Sequence, residues 1–250
     1  MSGPHELHPA PPRRAVISLE TVRSNTRLLL AEPSSGRVVA DLRGDAYGHG
    51  AAAVATALDD LPFDAFLVSN ETDARAIDAL ALSTPSILRS RLSPDSTTLL
   101  GPQLFGLDSA ELRDPRALGL LPVLTLSARV LSVKKVGAGE GVSYGYVYRT
   151  PRATTLAMVC LGYSDGIDRH ACDGGRAWFA GSTHPIAGRV AMDVFMLDVD
   201  DSPVSPGDEV VLFGDEQHGY PSPVAWAGAL GKTGAEVTAS LGDRIVRSYR

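Results

Sequence analysis

The chain has 250 residues, of which 44% are hydrophobic and 21% are charged, and its formal net charge is -6. This composition is typical of a globular protein that buries one or two cores. The acidic balance and the mixed charge signs along the chain give no case for nucleic acid as a partner.

The first 13 residues are rich in proline and histidine and lack the apolar region of a secretory signal, so we expect a disordered arm. No apolar run approaches the roughly 20 residues that a membrane span requires. Only two cysteines occur, Cys160 and Cys172, which is too few for a disulfide framework and fits a reducing compartment. We therefore expect a cytoplasmic protein that does not bind a membrane.

Strand and helix patterns alternate through the first part of the chain. Strand-like runs at residues 15–19, 37–42, 63–68 and 87–89 are separated by helical patterns at residues 20–30, 48–58 and 71–80, and Asn70 is placed to cap the last of these helices. This alternation predicts βαβ units in a parallel sheet or barrel. Residues 14–118 can hold three or four such units, whereas an eight-unit barrel needs about 200 to 250 residues.

The pattern changes after a boundary near residues 115–122. Short β-rich runs at residues 123–136, 155–161, 177–179, 194–199 and 209–213 are separated by turn residues. A short helix at residues 221–230 and a final strand at residues 244–249 follow. This spacing predicts an all-β domain, an antiparallel barrel or sandwich, over residues 119–250.

Three local motifs carry candidate chemistry. DAYGHG at residues 45–50 follows a strand, so it is either a phosphate seat or, as we favour from these residues alone, a tight turn that needs glycine. GYSDGIDR at residues 162–169 combines Tyr163 with Asp165 and Arg169, and is either an acid/base site or a polar turn. GRVAMD at residues 188–193 by itself indicates only the start of a strand. Cys160, His170 and Cys172 match no standard zinc spacing, so we expect no metal.

Taken together and in this order, the motifs are more specific. The chain resembles the alanine racemase family over most of its length, and further similar segments are AVISLETVRSNTRLL at residues 15–29, the segment at residues 120–145, SPGDEVVLFG at residues 205–214 and EVTASLGDRIVR at residues 236–247. The resemblance implies an incomplete TIM-barrel-like α/β region over residues 14–118, followed by the family's C-terminal β-domain.

The family's lysine is missing. In the family, the lysine two residues before the Asp of the DAYGHG motif holds pyridoxal phosphate covalently and removes the substrate Cα proton. Here that position is Arg43, and a guanidinium stays protonated and cannot form a Schiff base. The chain has only three lysines, Lys134, Lys135 and Lys232, and none is an evident substitute. Pyridoxal phosphate is therefore expected, if at all, without covalent attachment.

The resemblance assigns further residues. Tyr47, with Gly48 and His49 in the same loop, matches the cofactor-binding motif, and its tyrosine contacts the cofactor phosphate in the family. Tyr163 matches the acid/base tyrosine that enters the other subunit's active site, and Asp165 and Arg169 belong to its motif. Met192 matches a residue that lines the substrate site. A homodimer, or a pair with a related racemase, and a small-molecule ligand are thus implied.

A stretch of the family's barrel has no counterpart. PSILRS at residues 85–90 is followed almost directly by TTLLGPQLFG at residues 97–106, so the middle of the barrel is missing. This leaves a parallel-sheet edge that a partner or a covering segment must protect, and residues 91–118 are the candidate cover.

Three functions remain open. The first is a binding or regulatory protein without racemase activity of its own, or one subunit of a shared-site dimer. The second is an amino-acid racemase that holds pyridoxal phosphate non-covalently and uses Tyr163 as acid/base. The third is a different reaction or ligand, a carboxylate or phosphate bound by Arg43. A plain alternative is that Arg43 is only an exposed strand end.

Overall fold

The computed structural model of the protein describes residues 12–31, 36–93, 97–108 and 114–250. Most of the predicted N-terminal arm lies outside these ranges, but Arg13 already belongs to the first strand. The strands are β1 (Arg13–Ile17), β2 (Arg37–Asp41), β3 (Ala65–Val68), β4 (Ser86–Leu88), β5 (Thr97–Leu100), β6 (Leu124–Val136), β7 (Gly141–Val142), β8 (Tyr148–Arg149), β9 (Thr154–Val159), β10 (Arg176–Phe179), β11 (Ser182–Pro185), β12 (Phe195–Asp200), β13 (Glu209–Phe213) and β14 (Val246–Tyr249). The helices are α1 (Leu19–Leu30), α2 (Arg43–Gly48), α3 (Ala51–Leu58), α4 (Glu71–Asp78), α5 (Pro223–Gly228) and α6 (Gly234–Ala239).

The first region is built on a parallel sheet in the order β4-β3-β2-β5. Its strands are apolar on both faces, because one face packs on helices and the other holds a separate cluster of Val39, Ala65 and Leu67. Strand β5 lies in the segment 91–118 that was expected to cover a sheet edge, and it pairs with β2. Asn70 caps α4 as predicted, since its side chain accepts hydrogen bonds from the backbone N–H groups of Thr72 and Asp73.

The second region is the predicted all-β domain, dominated by antiparallel pairing. Its main sheet runs β11-β10-β13-β6-β1-β14, with β9 on the far end of β6 and β12 beside β9. The long strand β6 serves two sets of neighbours, and its pairing with β9 has a register shift between Val130 and Ser132. The chain therefore combines an α/β region with a C-terminal β-domain.

The placement of the first strand differs from the expectation. The alternating pattern predicted that it joins the βα units, but β1 lies between β6 and β14 in the sheet of the β-domain. Periodicity indicates that a strand exists and does not indicate its partner. Helix α1 then returns the chain to the first region, where buried Asn25 donates to the carbonyl groups of Leu104 and Leu121. This crossing joins the two regions into one core.

Two absences concern the described residues only. None of their helices is both long and apolar enough to traverse a bilayer. They also contain no grouping of three or more His, Cys, Asp or Glu side chains suited to hold a metal ion.

Candidate functional site

The segment after β2 is a single turn of left-handed helix. Helix α2 carries φ angles of 61° at Gly44, 55° at Asp45, 53° at Ala46 and 53° at Tyr47. A left-handed conformation costs a non-glycine residue roughly 1 to 2 kcal/mol, so three such residues in succession are strained. The sequence predicted a right-handed helix from residue 48, but the right-handed helix α3 starts at Ala51. Strain of this kind is concentrated at functional sites.

Asp41 is the centre of this loop. It is the last residue of β2 and only 2% exposed. Its Oδ1 accepts from the Nε of Arg43 at 2.8 Å and from the backbone N–H of Arg43 at 3.1 Å. Its Oδ2 accepts from the Nη2 of Arg43 at 2.6 Å and from the hydroxyl of Tyr47 at 2.8 Å. The two oxygens therefore use all of the roughly four acceptor positions of a carboxylate.

Contact with Asp41 keeps both Arg43 and Tyr47 protonated. The hydrogen bonds to Asp41 raise the pKa of Arg43, which stays charged. Burial, together with the adjacent Asp41 charge, raises the pKa of the Tyr47 hydroxyl, which therefore stays protonated and donates to the carboxylate. Arg43 is thus neither a free cation nor a plain surface strand end, although part of its side chain reaches solvent.

His49 and Gly48 pack the loop against the rest of the protein. The His49 ring is fully buried and stacks on Phe105 with 4.3 Å between ring centroids. Within the described part of the chain, its Nδ1 contacts the carbonyl oxygens of Ala46 and Tyr47 alone, so Nδ1 carries the proton. Its Nε2 has no hydrogen-bond partner among the described residues, and burial lowers the pKa of the ring to about 4. Gly48 lies directly against the backbone carbonyl of Thr238.

The second motif forms a separate turn. Tyr163–Asp165 is one turn of 3-10 helix, and Gly162 before it leaves no space for a Cβ against the carbonyl of Met192. The backbone N–H groups of Tyr163 and Ser164 donate to the carbonyl oxygens of Ala191 and Met192 at 2.9 and 3.0 Å. These bonds join GYSDGIDR to GRVAMD. They leave the Tyr163 and Met192 side chains 41% and 54% exposed.

Asp165 holds this turn in position and does not face solvent. It is fully buried and accepts from the Nε of Arg13 at 3.1 Å, from the Nε of Arg244 at 2.9 Å and from the backbone N–H of Gly162 at 2.8 Å. Arg13 comes from β1 and Arg244 from the loop before β14. Arg169, by contrast, is exposed, and its carbonyl accepts from the N–H of Val190.

The structure does not bring the two sets of site residues together within one chain. Thr238, the neighbour of Gly48, lies two residues before Ser240, whose hydroxyl donates to the carbonyl of Gly166 beside the Tyr163 turn. The end of α6 therefore lies between the two sets. Among the described residues, no hydrogen bond or ion pair links Arg43 or Tyr47 to Tyr163 or Met192.

Sequence reasoning missed Asp41. The available signal is only its nearness in sequence to Arg43, an acidic residue two positions before a basic one, and strand periodicity does not apply because β2 ends at Asp41. A cavity of about 580 Å³ in the β-domain was also not predicted. Its buried carboxylate, Asp198, already accepts from the hydroxyl of Tyr148 at 2.6 Å. We give that cavity no role.

Comparison with known proteins identifies the family. A family model described as "Alanine racemase, C-terminal domain" matches residues 123–249, which is just over half of the chain. The alanine racemase of Frankia casuarinae is 40% identical over 187 residues, which are 69% of this chain and 49% of that protein. The chain spans about half the length, or less, of the curated relatives it matches.

Solved structures agree on the fold. The alanine racemase of a D-cycloserine-producing Streptomyces lavendulae superposes with a TM-score of 0.87 over 97% of this chain and 98% of that one, at 22% identity. The alanine racemase of Bartonella henselae, which holds covalently bound pyridoxal phosphate, superposes with a TM-score of 0.82 over 97% of this chain and all of that one, at 19% identity. These superpositions show the fold, and the family model together with the 40% identity to the Frankia casuarinae protein establishes that the chain belongs to the alanine racemase family.

Proposed function

We propose that this protein is a non-catalytic member of the alanine racemase family, which serves as a binding subunit and offers its Tyr163 turn to the active site of a second racemase chain. The observation that carries this proposal is the pair of hydrogen bonds between the Arg43 guanidinium and the Asp41 carboxylate. Arg43 occupies the position of the family's cofactor-binding lysine. We also propose that the chain consists of two domains, residues 14–118 and residues 119–250, with strand β1 lying in the sheet of the second domain.

The residues present do not fit pyridoxal phosphate. A covalent link needs a neutral amine, and the residue at that position is a charged guanidinium. The Tyr47 hydroxyl, which the resemblance assigns to the cofactor phosphate, instead donates to Asp41 at 2.8 Å. A phosphate approaching this loop would also meet the buried carboxylate of Asp41. We therefore assign no chemical step on the cofactor to this chain alone.

The Tyr163 turn, in contrast, retains what a partner's site would need. Its backbone is fixed by bonds to Ala191 and Met192, and Asp165 ties it to two arginines. Tyr163 is 41% exposed, and its hydroxyl has no hydrogen-bond partner among the described residues, so we assign to it the exchange of a proton with a neighbouring chain's substrate. Tyr144 and Tyr146 add exposed aromatic surface to this domain, and aromatic residues are enriched at protein interfaces.

Purified protein, supplied with pyridoxal phosphate and L-alanine, tests the absence of activity. We expect no D-alanine above the level produced by a Tyr163→Phe variant, because the amine is missing. Turnover that exceeds this control would overturn the proposal. It would favour instead the racemase that holds its cofactor non-covalently, whose motivation is the retention of Tyr47 and Tyr163.

Complementation tests the subunit role. The Frankia casuarinae racemase would be disabled by changing its own acid/base tyrosine to phenylalanine and then co-expressed with this chain. A mixed dimer contains one site with the partner's lysine and this chain's Tyr163, so we expect racemase activity to return. The Tyr163→Phe form of this chain serves as the control and should restore none. Native mass spectrometry that detects no mixed dimer would contradict the subunit role.

The third function, binding of a carboxylate or phosphate by Arg43, is less well supported, because the Arg43 guanidinium is already paired with Asp41. Nε and Nη2 of Arg43 already bind Asp41, so the guanidinium has no free bidentate edge on that side. Titration with inorganic phosphate, followed by thermal unfolding, tests this function. Stabilisation that disappears in an Arg43→Ala variant would support it.

A further inference from the structure

The loop after β2 departs from a cofactor site in a second way, besides the missing lysine. Asp41 is the last residue of β2 and Arg43 is the first residue of α2, and their side chains bind through two hydrogen bonds, of 2.8 and 2.6 Å. The Tyr47 hydroxyl and the Arg43 backbone N–H complete the shell around Asp41. The carboxylate is buried and fully bonded, so it acts as a fixed negative charge directly beside position 43.

A fixed negative charge has a definite effect on any amine placed there. An opposite charge at hydrogen-bond distance favours the protonated form of a lysine and raises its pKa by about one to three units. A protonated amine has no lone pair with which to attack an aldehyde carbon. Restoring the lysine alone would therefore give an ammonium held by Asp41, where Arg43 is held now.

We propose that Asp41 is an independent block to covalent cofactor binding, so that the loop is closed by two residues and reopening it requires both to change. This inference rests on the proposed absence of catalysis and deepens it. It names Asp41, which no family motif marks, as the residue that commits the loop to a structural ion pair.

Three variants of the 250-residue protein test the block: Arg43→Lys, Asp41→Asn/Arg43→Lys, and Asp41→Asn alone as the control without a new amine. Each is incubated with pyridoxal phosphate near neutral pH and then reduced with borohydride. In this reaction the amine adds to the aldehyde carbon, water leaves, and hydride reduces the resulting imine to a stable secondary amine. Peptide mass spectrometry then measures the pyridoxyl group at position 43.

The exposed Lys134 and Lys135 provide an internal reference in every sample, because their environment is the same in all variants. Relative to these lysines, we expect labelling of position 43 in the double variant to exceed that of Arg43→Lys by about tenfold or more, the change in neutral-amine fraction for one pKa unit. The two should converge as the pH rises. Asp41→Asn alone should show no label at position 43.

Three results would overturn the inference. The first is equal labelling of Arg43→Lys and the double variant at neutral pH. The second is no labelling of a double variant that retains a cooperative thermal transition, since something other than Asp41 would then silence the amine. The third is a double variant without such a transition, since Asp41 would then be essential to the fold. Racemase activity in the unmodified chain contradicts the proposed function instead, and it is measured separately.

Discussion

At the scale of single residues, the loop after β2 depends on two buried groups that differ in their hydrogen bonding. The Asp41 carboxylate has all its acceptor positions filled, whereas His49 has no hydrogen-bond partner for its Nε2 among the described residues. Protonating the His49 ring would place an N–H donor in a location where the described residues offer it no acceptor. Because this penalty exists only in the folded state, it links stability to pH.

Acidification is expected to destabilise the protein through His49. The pKa of His49 is lowered from its ordinary value of 6.5 to about 4 by burial. Between these values the unfolded chain binds a proton that the folded chain excludes, so stability falls as the pH falls through this window. The loss approaches roughly 3 kcal/mol near pH 4. Urea unfolding at several pH values across the window measures it.

A His49→Asn variant is the matched control, since its amide N–H is able to replace the donor at Nδ1 and it does not titrate. Every other titrating group is the same in the two proteins. If both lose the same free energy of unfolding as the pH falls, His49 is not the group responsible.

At the scale of elements, α2 is a left-handed turn that the sequence pattern does not reveal. Its geometry is held from outside, because Gly48 approaches the carbonyl of Thr238 and the Nε of Arg247 donates to the carbonyl of Gly48 at 2.8 Å. Strands and helices from distant parts of the chain thus stabilise a conformation that isolated residues disfavour.

Two glycines in this turn allow the cost of backbone strain to be measured separately from the cost of a steric clash. Gly44 has a φ of 61° and open space around it, whereas Gly48 has a φ of 83° and lies against the Thr238 carbonyl. We expect Gly44→Ala to cost about 1 to 2 kcal/mol, from backbone strain alone. Gly48→Ala should cost roughly 3 kcal/mol more, since its Cβ forces α2 away from α6. Denaturant unfolding of both variants measures the difference, and equal losses would refute the contact.

Much of the fold could be predicted because its signals are local. Alternating periodicity indicated strands such as β3 and β13, and the polar side chain of Asn70 marked the start of α4. Partners could not be predicted, because β1 has the pattern of any short strand and its position depends on β6 and β14. The site residues stay a prediction. The DAYGHG and GYSDGIDR motifs named Arg43, Tyr47 and Tyr163 as candidates, whereas Asp41 enters the candidate site through a hydrogen-bond shell that only the fold assembles.

At the scale of the whole molecule, Asp165 connects segments that are far apart in the chain. Arg13 and Arg244 converge on its buried carboxylate and so fix the Tyr163 turn to both β1 and the approach to β14. The exposed Tyr163 turn is therefore coupled to the integrity of the main sheet.

Replacing Asp165 with asparagine is expected to cost about 3 kcal/mol of stability, because two arginines lose their shared buried partner. Asp193→Asn is the control, since Asp193 also binds Arg244, at 2.6 Å, but is exposed. It should change the unfolding midpoint little, in keeping with surface ion pairs. Thermal unfolding compares the two. Similar midpoints would show that the buried carboxylate does not hold the sheet.

The parallel pairing of β1 with β14 also sets an order of events during synthesis. Ile17 leaves the ribosome early, but its neighbour Tyr249 is added 232 positions later, the difference between 249 and 17. At translation rates of about 5 to 20 residues per second, one edge of the nascent β1 stays unpaired for on the order of 10 to 50 seconds, until β14 is synthesised. During that interval the unpaired edge is most open to chaperone binding and to domain swapping between neighbouring nascent chains.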